Sequence, residues 1–195
     1  MISAIADRIS EEMLHEGLIL EEDRELYQYG FFLLISRGIF FVIAGIAGAL
    51  VGNLWDSIFF YILFSLLRGY AGGLHADREA VCLFSTTASL FLAAKIIFCL
   101  RRGNYVILSC GVLVVCSALV LFIAPLDSDS KPLGESEKRH YRKITRHLIL
   151  LMNLSSFVWL MAGYPQFLFI SCVVTGVEAV LLILGKAKRR WQDGI

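Results

Sequence analysis

Two stretches of sequence decide the fold: FFLLISRGIFFVIAGIAGALVG at residues 31–52 and YVILSCGVLVVCSALVLFIAPL at residues 105–126. Each contains about 20 mostly apolar residues, the length that an α-helix needs to cross the hydrocarbon core of a bilayer. Lipid offers the backbone no hydrogen-bond partners, so a crossing segment is either a helix or a strand of a closed barrel. Barrel strands alternate apolar and polar residues, and these stretches do not. They therefore predict membrane-spanning helices.

The composition of the whole chain fits a membrane protein. Of its 195 residues, 57% are hydrophobic and 18% are charged, whereas soluble domains have roughly 45–50% apolar and about 25% charged residues. Six apolar segments follow one another, at residues 31–52, 54–70, 83–100, 105–125, 147–163 and 165–185. The second and the fifth are short, so four full spans with two half-inserted segments are the alternative to six. We predict a single, all-α, polytopic membrane domain with four to six full spans.

The first 29 residues predict an amphipathic helix in front of this transmembrane core, which covers residues 30–185. Apolar residues recur there at three- and four-residue steps: Ile2, Ile5, Ile9 and Met13. Charged residues lie between them, which is the pattern of a helix with one apolar face. Interfacial helices usually favour Lys and Arg, and this one is acidic. Docking against protein therefore explains it as well as a position on the membrane surface does.

The positive charges predict the orientation of the chain. With a cytoplasmic N-terminus, 13 of the 18 Lys and Arg residues fall in segments on the inner side, and only Arg101 and Arg102 fall outside. Cytoplasmic loops of membrane proteins carry this excess. We therefore expect a multi-pass protein of the cell membrane with both termini, the basic tail 186–195 and the loops 71–82 and 126–146 in the cytoplasm. No nucleic-acid partner is expected.

Small residues at positions 43–52 allow close helix packing, either within one chain or between two copies in a homodimer. The five cysteines show no paired spacing, so reduced thiols are expected. Glu178 lies inside the last apolar segment and needs a partner there, for which Arg37 is a candidate.

The stretch most informative about chemistry is RGYAGGLHADREAVC, residues 68–82, a polar segment between two apolar blocks. Ionisable groups near membrane depth are costly and are functional candidates by default. Cys82 opens the next apolar block, after Asp77 as a candidate N-cap and Glu79 in the first turn. The exposed amides at a helix start favour a thiolate there, and only the thiolate attacks a carbonyl. His75 can then act as the general base.

The spacing of His75 and Cys82 sets a geometric condition. On one straight helix they would stand about 10.5 Å apart along the axis, whereas proton transfer needs roughly 2.6–3.2 Å between heavy atoms. A dyad therefore requires the chain to fold back, and Gly72 and Gly73 supply that freedom. We predict that residues 74–76 are non-helical. By spacing alone, a Cys at the head of an apolar helix is more often a packing residue than a nucleophile.

A metal site built from His75, Asp77 and Glu79 matches no strong ligand pattern. We therefore expect neither a metal nor a cofactor.

The stretch 68–82 resembles the signature of the AgrB (accessory gene regulator protein B) family, in which Arg, paired glycines, His and a later Cys recur in this order. A second stretch, APLDSDSKPLGESEKRHYRK at residues 124–143, is similar to the family's proline-containing cytoplasmic segment and its basic run. The resemblance covers nearly the whole chain. It implies a membrane cysteine endopeptidase of quorum sensing, with Cys82 as nucleophile and His75 as base. Such an enzyme cleaves an AgrD-like precursor peptide through a thioester and releases a cyclic thiolactone or lactone.

The resemblance also implies supporting roles around this dyad. The glycines would shape the backbone, and Arg68 would steady a carboxylate, whether Asp77, Glu79 or the substrate's tail. The basic run suits the acidic tail of such precursors through Lys138, Arg139, Arg142 and Lys143. The positive-inside rule explains the same run equally well. The alternative to an enzyme is a small multispan carrier or sensor scaffold, whose polar cluster at 68–79 gates a pathway and whose thiols show no special reactivity.

Overall fold

The computed structural model describes residues 2–72, 79–126 and 134–193. Within these residues the secondary structure consists of α-helices and one 3-10 turn at Glu21–Asp23. The helices are α1 (Ile2–His15), α2 (Arg24–Val51), α3 (Leu54–Ala71), α4 (Glu79–Gly103), α5 (Val106–Ile123), α6 (Glu135–Met161) and α7 (Gln166–Asp193). The predicted all-α fold is confirmed. Five helices, α2 and α4 to α7, are long and apolar enough to cross a membrane. The helix α3 is not among them: it has 18 residues, as α5 has, but it is less apolar and contains Asp56 and Arg68.

The chain divides into two compact units, and the first covers residues 1–43. Its amphipathic helix is shorter than the predicted 1–29. The helix α1 ends at His15 because Gly17 takes a left-handed conformation, with φ of 71°. Arg24, at the start of α2, contacts the carboxylates of Asp7 at 3.3 Å and Glu11 at 2.9 Å. Part of the acidic face of α1 is therefore engaged with protein.

The second unit, residues 44–195, is a helix bundle built around α7. This helix packs against α3, α4, α5 and α6, and it is the most buried of the five apolar helices. Large side chains that are fully buried fill the bundle: Phe60, Leu67, Ile97, Ile149, Phe169 and Leu182. Other large apolar side chains are exposed on its outside, such as Ile107 at 91% and Phe122 at 90%. An apolar exterior of this kind is what a hydrocarbon environment requires.

Buried hydroxyl groups join α6 to its neighbours. Ser156 on α6 donates a hydrogen bond to Ser171 on α7 over 2.8 Å. Asn153 on α6 donates to Ser117 on α5 over 3.2 Å. Hydrogen bonds between membrane helices satisfy polar groups that lipid cannot, so these contacts hold the bundle in register.

The small residues at 43–52 allow α2 and α3 to approach closely within one chain. Ala44 and Ala47 are buried, and a Cβ atom at Gly48 would lie 2.7 Å from the Cβ atom of Ser57. Only glycine fits that contact without displacing α3. The helix contact inferred from these residues is thus present inside a single chain. A homodimer stays a prediction.

The short helix α3 passes from one side of the bundle to the other. At its start, Asp56 pairs with Arg101 near the end of α4 over 3.0 Å, and Asn53 donates to the carbonyl of Ala94 over 2.9 Å. At its other end, α3 meets the end of α5, as described below. Because a tight turn joins the end of α4 to the start of α5, the ends of α4 and α5 lie on opposite sides of the bundle. The helix α3 therefore runs from one side to the other, and the number of membrane crossings stays a prediction.

Candidate active site

The site begins where α3 ends. Gly72 terminates that helix with φ of 75° and ψ of −149°, a conformation that side chains other than glycine rarely adopt. A Cβ atom at this position would also overlap the carbonyl oxygen of Leu126. The helix therefore ends at Ala71 because a glycine follows it, and that glycine is one of the two at which the sequence indicates that the chain is free to bend. The prediction that residues 74–76 are non-helical lies outside the described residues.

The end of α3 is joined to the end of α5. The amide of Leu126 donates a hydrogen bond to the carbonyl of Ala71 over 3.0 Å, and Gly72 and Leu126 form an isolated parallel β-bridge. We refer to this contact as the Gly72–Leu126 bridge. It brings together the two stretches on which the family resemblance rests, residues 68–82 and 124–143. Their sequence separation alone did not indicate that they meet.

Arg68 lies one turn before this bridge and contacts two acceptors. Its Nη1 donates to the carbonyl of Gly72 over 2.9 Å, and the same atom lies 3.6 Å from Oε1 of Glu178 on α7. Glu178 is fully buried, while the Arg68 side chain is 20% exposed. The carboxylate partner of Arg68 is thus a residue of the last helix, which the sequence had paired with Arg37. Roles for Asp77 or Glu79 as carboxylate partners lie outside what the structure describes.

The basic run begins α6 and approaches the end of α3. The amide of Gly134 donates to the carboxylate of Glu137 over 3.0 Å, which caps the start of the helix. Tyr141 on α6 meets the ring of Tyr70 on α3 edge to face, with 5.7 Å between ring centroids. The start of α6, which carries the basic run, therefore lies near the end of α3.

One side of α6 forms an exposed basic face at i, i+3, i+4 and i+7 spacing. Its members are Arg139, Arg142, Lys143 and Arg146. Lys138 lies outside this face, is half-buried and is 3.8 Å from Glu135. Three of the four residues predicted to bind the substrate's tail thus share one surface, and the fourth contacts an acidic neighbour.

The predicted catalytic pair lies partly outside the described residues. His75, Gly73 and Asp77 fall in the stretch 73–78, and the side chains of Glu79 and Cys82 are also not described. The backbone places Cys82 as the fourth residue of α4, in the turn where exposed amides favour a thiolate. Because α3 ends at Ala71 and α4 begins at Glu79, one helix does not run through residues 70–84. That the imidazole of His75 lies within proton-transfer distance of the Cys82 thiol stays a prediction.

The other cysteines have surroundings that suit packing residues. Cys172 is buried in an apolar cluster with Leu113 and Leu168, and Cys110 packs against that cluster. Cys99 is exposed and Cys116 is half-buried, and all four are reduced. Among the described residues no group of three or more His, Cys, Asp or Glu side chains is placed to hold a metal ion.

The bundle of long apolar helices, with a glycine-terminated helix and a buried ion pair at one end, defines a multi-pass membrane protein. The chain belongs to the AgrB family, because the family model described as Accessory gene regulator B matches residues 2–184. It is 28% identical over 148 residues to "Putative AgrB-like protein" of Clostridium perfringens (strain SM101 / Type A), covering 73% of this chain and 69% of that relative. It is 26% identical over 148 residues to "Putative AgrB-like protein 2" of Clostridium perfringens (strain 13 / Type A), covering 71% and 65%.

The matches therefore span about two thirds of the length of these relatives. No solved structure matched the chain. Family membership associates the protein with the processing of quorum-sensing peptides, and it implies an AgrD-like propeptide as the substrate.

Proposed function

We propose that this chain is a membrane-embedded cysteine endopeptidase that cleaves an AgrD-like precursor and cyclises the retained part. The observation that carries this proposal is the Gly72–Leu126 bridge. It joins the two family stretches at Gly72, and the contact of Tyr70 with Tyr141 brings the same end of α3 to the basic helix α6. Family membership over residues 2–184 supplies the substrate class.

In the first step, His75 accepts the thiol proton of Cys82, and the thiolate attacks the carbonyl carbon of the scissile peptide bond. The tetrahedral intermediate collapses when the imidazolium of His75 protonates the leaving nitrogen. The C–N bond breaks and the C–S bond remains. The acidic tail leaves with a free amino group, and the front part of the peptide is held on Cys82 as a thioester.

In the second step, a Cys thiol or Ser hydroxyl inside the held peptide attacks this thioester. His75 accepts the proton of the attacking group, and the Cys82 thiolate leaves and regains a proton from the imidazolium. The product is a thiolactone or a lactone, and the enzyme is unchanged. A site at the membrane border that excludes water favours this exchange over hydrolysis.

The basic face of α6 is proposed to bind the acidic tail of the precursor. Its exposed guanidinium and ammonium groups lie on the same side of the bundle as the end of α3. Opposite charges of this kind steer a flexible ligand toward a site and set its orientation. Lys138, which contacts Glu135, contributes to the same local positive potential.

The test is cleavage of a synthetic AgrD-like precursor by the purified protein in proteoliposomes. We expect wild type to release the tail and a ring-closed fragment one water lighter than the hydrolysed one. We expect Cys82→Ala and His75→Ala to release neither, while the control Cys99→Ala, an exposed cysteine of the same helix, behaves as wild type. Hydroxylamine added early would capture the thioester on wild type.

Processing by Cys82→Ala at the wild-type rate would rule out this mechanism. Equal, slow alkylation of Cys82 and Cys99, with no cleavage by wild type, would favour the carrier or sensor scaffold instead. Sidedness belongs to the same proposal, since 13 of the 18 Lys and Arg residues support a cytoplasmic site. A membrane-impermeant maleimide should label Cys82 in inverted vesicles and not in right-side-out ones.

A further inference from the structure

Glu178 is the buried charged group that the proposed mechanism does not use. Its side chain has no exposed surface, and neither carboxylate oxygen has a hydrogen-bond partner within the described residues. It lies eight residues before Lys186, so it stands about 12 Å along α7 from the first basic residue of the tail. A buried carboxylate in such a helix is costly unless it has a partner, and it is a functional candidate by default. A buried ion pair is by itself weak evidence of a stabilising role.

The partner of Glu178 among the described residues is Arg68, at 3.6 Å. That distance is longer than a hydrogen bond, so the attraction between the two groups is electrostatic. The guanidinium nitrogen that faces Glu178 is also the one that donates to the Gly72 carbonyl over 2.9 Å. One atom of Arg68 therefore connects the last helix to the residue that ends α3.

The peptide group held in this way is the start of the proposed active-site segment. Gly72 is bonded to Arg68 on one side and bridged to Leu126 on the other. Its backbone is not helical, and these protein contacts supply the hydrogen bonds that a helix would otherwise provide. Both contacts fix the position of Gly72, the last described residue before His75.

We propose that Glu178 is a positioning residue of the peptidase. Its carboxylate holds the guanidinium of Arg68 against the carbonyl of Gly72, and it thereby fixes the point from which the His75 segment departs. This inference rests on the proposed function. Without the negative charge, Arg68 loses its attraction to Glu178, and its hydrogen bond to the Gly72 carbonyl weakens.

The test compares Glu178→Gln and Glu178→Asp with Thr175→Val in proteoliposomes. Thr175 is a matched control, since it is a fully buried polar residue on the same helix whose hydroxyl bonds only to its own helix, at Ser171 and Cys172. Two quantities are measured: kcat and KM for precursor cleavage, and hydrogen exchange of the Leu126 amide. That amide bonds to Ala71 at the bridge, 3.0 Å away.

For Glu178→Gln we expect kcat to fall about 10- to 100-fold with KM within about twofold, because a misplaced catalytic group costs rate and leaves binding intact. Exchange of the Leu126 amide should quicken by about 10-fold or more. Glu178→Asp keeps the charge and should lose less than about 10-fold in kcat. Thr175→Val should match wild type in both measurements.

A purely structural role gives a different pattern. In that case Glu178→Gln yields less folded protein, while kcat per folded molecule and the exchange of Leu126 stay at wild-type values, and the inference is overturned. If Glu178→Gln does not fold, Glu178→Asp decides by the same two measurements, with slower turnover and faster exchange as the supporting result. If Cys82→Ala cleaves as wild type does, the proposed function fails, and exchange at Leu126 still shows separately whether Glu178 anchors the bridge.

Discussion

The replacement of Gly72 by alanine probes the end of α3 with a single methyl group. Two costs can be worked out from the structure. Holding a non-glycine residue at φ of 75° and ψ of −149° costs about 1–3 kcal/mol. The added Cβ atom overlaps the Leu126 carbonyl, so the bridge must open and its hydrogen bond, worth about 0.5–1.5 kcal/mol, is lost.

We therefore expect Gly72→Ala to lose about 1.5–4.5 kcal/mol of stability, the sum of the two costs. For a chain of this size, that corresponds to a fall in Tm of about 3–18 °C. The measurement is thermal unfolding in detergent, followed by the fraction of protein that elutes as a single species after heating. Because the methyl group also displaces the start of the His75 segment, kcat for precursor cleavage should fall with it.

The control is Gly111→Ala, within the helix α5. A Cβ atom at Gly111 meets nothing within 4 Å, so this change should raise stability by up to about 1 kcal/mol through helix propensity. The reasoning is refuted if Gly72→Ala unfolds at the wild-type temperature and cleaves the precursor at the wild-type rate. That result would mean that neither the backbone conformation nor the bridge constrains this end of α3.

Three further outcomes follow from other contacts. Gly48→Val forces α2 away from α3 and should lower the stability by about 1–3 kcal/mol. The control Gly45→Ala, whose Cβ atom would lie 3.9 Å from its nearest neighbour, should leave the stability unchanged in the same unfolding assay. Equal melting temperatures for the two variants would contradict the close contact. Replacing the basic face of α6 by glutamates should raise KM for an acidic-tailed precursor about 10-fold and leave KM for a neutral-tailed one unchanged, and an equal rise for both peptides would remove the charge argument. A double-mutant cycle of Ser156→Ala and Ser171→Ala, measured by unfolding, should give a coupling energy of about 0.5–1.5 kcal/mol. A coupling energy of zero would show that their 2.8 Å hydrogen bond contributes nothing to stability.

The helices that cross lipid were predictable from sequence because their composition alone excludes other structures. The helix α5 covers Val106–Ile123, within the apolar run predicted at 105–125. Hydropathy was less informative at the polar ends. The apolar run predicted at 147–163 is only the second half of α6, because twelve residues before it continue the same helix outside the apolar core. Charged turns can be helical, and hydropathy detects only the part that lipid surrounds.

At the site, the sequence indicated Gly72 and Gly73 as positions where the chain is free to bend, and it missed the contacts between distant residues. Glycine takes positive φ at little cost, and Gly72 does so at the end of α3. Its bridge to Leu126 and the pairing of Arg68 with Glu178 join residues far apart in the chain. No periodicity distinguishes Arg37 from Arg68 as the partner of a buried carboxylate, since both lie within apolar runs. Only the packing of α3 against α7 determines that choice.

The position of α7 in the chain has a consequence for biosynthesis. A ribosome delivers the helices to the membrane in order, and the helix that contacts α3, α4, α5 and α6 follows all of them. Arg68 therefore enters the bilayer region before its counter-charge has been translated. The ion pair forms only after the chain has been extended by 110 residues, from position 68 to position 178. The proposed peptidase thus assembles its site late, after the nascent helices that surround it have already been inserted.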